Sequence, residues 1–64
     1  MWVVIYMAKG IKQAEKLKNA IEYEGLIAKI MPVYKKMSDE ENYYKIVVLA
    51  VEAEEAREII MDKM

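Results

Sequence analysis

The segment 43–51 constrains the fold of this chain more than any other part of it. Its last six residues, 46–51, are all apolar, so a strand built from them has no polar side to turn toward water. A strand that is apolar on both sides is typical of the centre of a sheet, where both faces are covered. We therefore expect this segment to form the central strand of a small sheet.

Two other segments have the character of strands. Residues 1–7 are apolar and rich in β-branched side chains, and Lys9 and Gly10 follow them, which predicts the first strand. Residues 26–34 predict the second strand. Pro32 lacks the N–H group that a central strand donates to its neighbours, so the second strand should lie at an edge of the sheet.

Apolar residues recur every three or four positions in two segments, which predicts two amphipathic helices. The first helix should cover about residues 10–24, and Gly25 should follow it in the left-handed conformation that ends many helices. The second helix should occupy the C-terminal segment, because Glu54 and Glu55 favour the positive end of a helix dipole and Lys63 favours its other end.

The element order is therefore β-α-β-β-α, within a single domain of residues 1–64. The class is α/β, more narrowly α+β, and the plan is a ferredoxin-like split β-α-β fold that lacks its last strand. A right-handed crossover through the first helix should connect the first two strands. The third strand should lie between them, which predicts the sheet order 1-3-2 with both helices on one face.

The chain contains no His and no Cys, which removes whole classes of chemistry. Imidazole is the side chain most often used for proton transfer near neutral pH, and imidazole and thiolate are the usual ligands of zinc. A chain of 64 residues can also hardly enclose the pocket that a lysine Schiff base or a cofactor needs. We therefore expect no enzyme activity, no metal and no cofactor.

Charge and hydropathy exclude two classes of partner. The net charge is −1 and the sequence pI is about 5.4, which argues against the basic stripe of a nucleic-acid-binding protein. The longest apolar run comprises residues 1–8, whereas a membrane-spanning helix needs about 20 residues. We expect a cytoplasmic protein that binds neither nucleic acid nor a membrane.

Two helices can cover only one face of a three-stranded sheet. With Lys29 and Lys45 taken as markers of the uncovered side, that face is largely apolar. Apolar sheet faces and unpaired edge strands are sites of association, so we expect a homodimer, formed face to face or through the first strand. The candidate interface residues are Trp2, Val4, Tyr6, Ile27, Met31, Val47 and Leu49. The alternative set from the first strand is Val3, Ile5 and Met7.

Two polar segments are candidates for contacts with other molecules. Lys9, Gly10 and Lys12 lie where the first helix begins, and backbone N–H groups at a helix start attract anions such as phosphate. The segment 35–42 predicts a mobile hairpin loop. Its charged residues form a candidate partner loop: Lys35, Lys36, Asp39, Glu40 and Glu41.

A set of structural motifs occurs in one order along nearly the whole chain: residues 1–8, 14–17 and 24–26, Pro32, and residues 43–48 and 54–59. Together they resemble a group of short bacterial proteins akin to the prokaryotic signal-transducing protein family. The resemblance implies a ferredoxin-like fold comparable with PII-like regulators, whose signalling loop joins strands two and three and corresponds here to residues 35–42. Some members are labelled glutamate decarboxylase, but a pyridoxal-phosphate enzyme needs a larger pocket than this chain can hold.

These observations favour a small regulatory or protein-interaction module that acts as a homodimer and has an unidentified protein as a further partner. The alternative is a small-molecule or nucleotide-phosphate sensor that binds at the start of the first helix.

Overall fold

The computed structural model describes residues 1–64. Its strands are β1 (Trp2–Lys9), β2 (Ala28–Pro32) and β3 (Tyr43–Leu49), and its helices are α1 (Ile11–Tyr23) and α2 (Ala53–Lys63). A single 3-10 turn, Ala50–Glu52, joins β3 to α2. The predicted order β-α-β-β-α is confirmed.

The sheet has the order β1-β3-β2, and β3 is antiparallel to both neighbours. The central place of β3 follows from its apolar sequence, and the edge place of β2 agrees with Pro32 at its end. The fold is thus a small α+β structure consistent with a ferredoxin-like plan without its fourth strand.

The ends of the elements follow local backbone chemistry. Gly25 follows α1 with a φ of 89°, and its N–H group donates to the carbonyl oxygen of Glu22 at 2.9 Å, so the predicted left-handed helix end is confirmed. β3 ends two residues before the predicted position. Ala50 donates its N–H to the carbonyl oxygen of Met1, and the chain turns there into the 3-10 segment.

Both helices pack on the same face of the sheet, as predicted. Ile21 of α1 and Ile60 of α2 meet Ile46 and Val48 of β3 in one cluster of buried side chains. Ile21, Ile46 and Val48 are the largest fully buried side chains. Neither helix has the length and the apolar character needed to cross a bilayer.

An irregularity in β1 decides which of its side chains face the helices. Val4 pairs with Val47, but the next pair joins Tyr6 to Ile46, so Ile5 is an extra residue. Such a bulge leaves one residue unpaired and shifts the alternation of the side chains that follow. Ile5 and Tyr6 both pack against the helix-covered core.

Tyr6 therefore lies on the helix side of the sheet, whereas Trp2 and Val4 of the same alternating set lie on the uncovered face. Neither alternating set predicted for the first strand is complete, because Val3 and Ile5 face the helices whereas Met7 pairs with Lys45 on the opposite face. On the uncovered face, Trp2 and Val4 of the first set are followed by Met7 of the second set, because the bulge shifts the alternation after Val4.

Candidate functional site

We call the side of the sheet that no helix covers the open face. Its residues follow from the strand register: Trp2, Val4, Met7 and Lys9 of β1, Tyr43, Lys45, Val47 and Leu49 of β3, and Lys29 and Met31 of β2. Four of its apolar side chains, those of Trp2, Val4, Met7 and Met31, are between 40% and 51% exposed. Ile27 immediately precedes β2 and is also exposed. The open face is thus a continuous apolar surface with lysines set into it.

Two of these lysines cover aromatic rings. The Nζ atom of Lys29 lies 4.2 Å from the centre of the Trp2 ring, and that of Lys9 lies 5.3 Å from the centre of the Tyr43 ring. Both distances are within the range of a cation–π interaction. Because β3 separates Lys29 from Trp2, their contact crosses above β3, and Val47 beneath it is only 6% exposed.

Charge is distributed unevenly between the two sides of the molecule. The strands contain three lysines, Lys9, Lys29 and Lys45, and no Asp or Glu. The 3-10 turn and α2 contain five carboxylates and only two cations. The positive charge of the strands therefore lies on the open face, and the C-terminal elements carry an excess of negative charge.

The outer edge of β1 has no neighbour, because β1 pairs only with β3. This is the edge at which the fourth strand of a complete ferredoxin-like sheet would pair. Beside it lies a cleft of about 190 Å³ between β1 and α2. Its lining residues are Ile5, Tyr6, Arg57, Ile60, Met61 and Met64. Met61 and Met64 are 72% and 64% exposed, so the vacant edge has an apolar surface on its helix side.

The loop between β2 and β3 is anchored by Asn42, whose side chain is buried. Its Oδ1 atom accepts the N–H groups of Tyr34 at 3.1 Å and Tyr43 at 2.7 Å, and its Nδ2 atom donates to the carbonyl oxygen of Tyr34 at 2.7 Å. Within the loop, the Ser38 hydroxyl donates to Glu41. The predicted loop is thus tied to the ends of both strands, and the charged side chains predicted for partner contacts are exposed on it.

The same loop caps the start of α1. The N–H groups of Gly10 and Ile11 donate to the carbonyl oxygens of Asn42 at 2.7 Å and Asp39 at 2.9 Å. Two of the N–H groups predicted to attract an anion near Lys9 and Lys12 are therefore already bonded. The start of α1 offers an anion fewer free donors than an uncapped helix would, and an anion site there stays a prediction.

A second cleft, of about 500 Å³, lies between the loop, the start of α1 and the edge of β2. The hydroxyl group of Tyr44 donates to Asp39 Oδ1 at 2.9 Å on its wall. The pKa of Tyr44 is raised, first because the phenol is desolvated, and further because of its hydrogen bond to Asp39 and the nearby charges of Asp39 and Glu15. No buried side-chain nitrogen or oxygen atom lacks a hydrogen-bond partner, so the cleft shows no buried unsatisfied group that calls for a ligand.

The raised pKa of Tyr44 predicts a loss of stability at alkaline pH. A pKa that is higher in the folded state contributes stability below about pH 10, the ordinary pKa of tyrosine, and this contribution is lost as the pH rises toward the folded-state value. The natural chain should therefore be more stable than Tyr44→Phe at neutral pH, and this difference in the free energy of unfolding should shrink when the pH is raised above about 10. Urea unfolding of both proteins at neutral pH and at the alkaline pH measures the difference. Tyr23→Phe, at an exposed position of α1, is the control, and a difference that stays constant with pH would contradict the prediction.

Several features of these surfaces were not predicted from the sequence. The polar pattern of residues 35–42 predicts a mobile loop that includes Asn42, although a single Asn directly before a strand is a residue type that often satisfies backbone groups in turns. The sequence does not indicate that Met61 and Met64 lie beside the vacant edge, because that placement depends on how α2 packs against β1. The signal that could have identified the charge of the open face is that Lys is the only charged residue type in the three strands.

No group of three or more carboxylates is placed to hold a metal ion.

None of the protein-family models, curated proteins and solved structures compared with this chain matches it. The resemblance to signal-transducing proteins therefore stays a prediction, and a function has to be argued from the geometry of these surfaces.

Proposed function

We propose that this chain is a small cytoplasmic regulatory or protein-interaction module that acts as a homodimer. The observation that carries the proposal is the vacant outer edge of β1 beside an apolar cleft. An edge strand with exposed apolar neighbours is a site for pairing with another chain, and a symmetric dimer would place the same edge of a second copy there.

The chemistry of the vacant edge suits a contact with a copy of itself. Lys9 is the only charged residue of β1, and it lies at the end of the strand. When two β1 strands run antiparallel, their Lys9 residues lie at opposite ends of the pair and do not repel each other. The cleft residues Tyr6, Met61 and Met64 would meet their counterparts across the two-fold axis, which buries apolar surface on both copies.

The bulge at Ile5 shapes this interface. It divides the regular edge of β1 into two short segments, Trp2 to Val4 and Tyr6 to Lys9, and a bulge shortens the ladder that an edge can form. We therefore expect the side chains of the cleft to contribute more binding free energy than new backbone hydrogen bonds do.

A dimer formed face to face through the open faces is less favourable on electrostatic grounds. It would bring Lys9, Lys29 and Lys45 of one copy against the same three residues of the other, and no strand carries a carboxylate to pair with them. A buried ammonium group without a partner costs several kcal/mol. The edge of β1 brings fewer cations together, because the cleft beside it contains the single cation Arg57, which is exposed, and Lys9 lies at the end of the strand.

The second candidate function, a nucleotide-phosphate sensor at Lys9, Gly10 and Lys12, has less support. Two N–H groups at the start of α1 are occupied by the loop, and the neighbouring cleft is lined by Asp39 as well as Lys35. A carboxylate in that position repels a phosphate.

The proposal is tested by the mass of the protein in solution. The chain has a mass of 7.5 kDa, and light scattering after size exclusion should give twice that value at micromolar concentration. Met61→Lys places a charge in the apolar interface, and we expect it to weaken dimerisation by at least about tenfold, or about 1.4 kcal/mol. Val51→Lys is the control, because Val51 is 92% exposed and lies outside the cleft.

Circular dichroism should show that both variants keep the fold, since both positions are exposed. A natural chain that remains monomeric throughout the micromolar range would refute the proposed homodimer. Equal weakening by Met61→Lys and Val51→Lys would place the interface elsewhere.

A further inference from the structure

The three lysines of the open face lie on one diagonal of the sheet. Along β3, the side chains at positions 43, 45 and 47 point to the open face. Lys9 of β1 is paired with the first of these positions, Lys45 is the second, and Lys29 of β2 is paired with the third. Each step from Lys9 to Lys45 to Lys29 moves one strand across and two residues along. With strand spacings of about 4.8 Å and a rise of about 3.4 Å per residue, neighbouring lysines have Cα atoms roughly 8 Å apart.

Apolar side chains flank this diagonal on both sides. Val4 and Val47 lie on one side, and Tyr43 and Met31 lie on the other. The open face therefore alternates positive charge and apolar surface in a line of roughly 17 Å, and it holds no carboxylate of its own. A ligand that matches it must supply both negative charge and apolar surface.

The size of the face selects the form of that ligand. Three strands at about 4.8 Å spacing give a width of roughly 10 Å between the outer two, close to the diameter of one α-helix with its side chains. A helix of about 11 residues is long enough to follow the diagonal. Helices on both faces of a sheet are also a common layered architecture, whereas an added strand pairs at an edge.

From this geometry we infer that the open face binds an acidic amphipathic helix of a partner protein. The inference rests on the proposed function, because it names the partner of the same interaction module. The apolar stripe of the helix packs on the exposed side chains of Val4, Met7 and Met31, and its Asp or Glu side chains pair with Lys9, Lys45 and Lys29. The positive face steers an acidic partner toward the surface and rejects a basic one.

Single-stranded nucleic acid matches this surface less well. Bases bind to such sheets by stacking on exposed aromatic rings, but the rings of Trp2 and Tyr43 are each covered by a lysine of the same chain. The remaining exposed side chains are aliphatic or Met, and the chain as a whole carries a net charge of −1.

The test uses four fluorescein-labelled probes and fluorescence anisotropy. The first is a synthetic helix with a leucine stripe flanked by glutamates. The second has lysine in place of each glutamate, the third has glutamine in place of each leucine, and the fourth is oligothymidylate. We expect the first probe to bind the natural chain at least about tenfold more tightly than each of the others, a difference of about 1.4 kcal/mol or more.

Charge reversal on the protein makes the test specific. Lys45→Glu removes the middle lysine of the diagonal, so the acidic probe should bind at least about tenfold more weakly and the lysine-bearing probe should gain affinity. Lys16→Glu makes the same change of net charge on an exposed position of α1, and it should change binding less than about twofold, which is under 0.5 kcal/mol.

Three results would overturn the inference: no binding of the acidic helix, equal loss of binding in Lys45→Glu and Lys16→Glu, or tighter binding of oligothymidylate than of the helix. The oligomeric state is measured by light scattering on the same samples. A monomer that binds the acidic helix would overturn the homodimer and leave this inference standing, and a dimer that ignores every probe would do the reverse.

Discussion

Replacing Asn42 with alanine is expected to lower the free energy of unfolding by about 3 kcal/mol. The substitution removes three hydrogen bonds, to the N–H groups of Tyr34 and Tyr43 and to the carbonyl oxygen of Tyr34. Each contributes about 1 kcal/mol net. Alanine has no polar group to replace them, so the ends of β2 and β3 lose the side chain that joins them. Urea unfolding followed by circular dichroism measures the change.

The matched control is Asn19→Ala. Asn19 is exposed on α1, where alanine is the better helix former, so we expect a small stabilisation of less than about 0.7 kcal/mol. A loss of less than about 1 kcal/mol in Asn42→Ala would show that the three bonds are replaced by water and that Asn42 does not anchor the loop.

Replacing Ile46 with alanine should have the largest effect of any single substitution described here, about 3–4 kcal/mol. Ile46 is fully buried at the centre of β3, between Tyr6 on one side and Ile30 on the other. The loss combines the transfer free energy of the removed methyl groups with the cost of the cavity that they leave. A chain of 64 residues has a total stability of roughly 3–10 kcal/mol, so this variant would lie close to unfolding.

Ile27→Ala is the control, because it is the same substitution at a side chain that is 53% exposed. Its expected effect is below about 1 kcal/mol. Ile46→Val removes a single methyl group and should cost about 1 kcal/mol, which keeps the position measurable if Ile46→Ala does not fold. Equal effects at Ile27 and Ile46 would contradict the placement of the core on the helix side of the sheet.

The sheet order could be predicted because two local constraints pointed the same way. The apolar run that follows Lys45 requires a covered position, and Pro32 requires an edge, so only one arrangement of three strands satisfies both. Gly25 likewise marked the end of α1, because its backbone conformation is one that other residues rarely adopt.

The arrangement of β1 could not be predicted in the same way. Every residue from Trp2 to Met7 is apolar, so alternation carries no information about which side chains face the helices. The bulge leaves Ile5 unpaired and turns both Ile5 and Tyr6 toward the helix side, and nothing in the residue types marks its position. A polar residue in this stretch would have marked the open face, as Lys29 and Lys45 do in the other strands.

The surfaces were predicted only in part for a related reason. The exposed apolar face could be predicted because two helices cover only one face of a three-stranded sheet. The alignment of Lys9, Lys45 and Lys29 on that face could not, because it depends on how the strands are paired. The role of Asn42 depends on hydrogen bonds to Gly10, which is distant from it in the chain, and to Tyr34, which lies eight residues before it.

The contacts of the loop between β2 and β3 with α1 restrict where this loop can be lengthened. The carbonyl oxygens of Asp39 and Asn42 close the first turn of α1, and a side chain added at Gly10 would lie 3.1 Å from the carbonyl oxygen of Glu40. Residues inserted before Asp39 would extend the tip of the loop and leave these carbonyl oxygens in place. Residues inserted between Asp39 and Asn42 would move the acceptors away from α1, so a chain that lengthened its connection there would need a new way to begin its first helix.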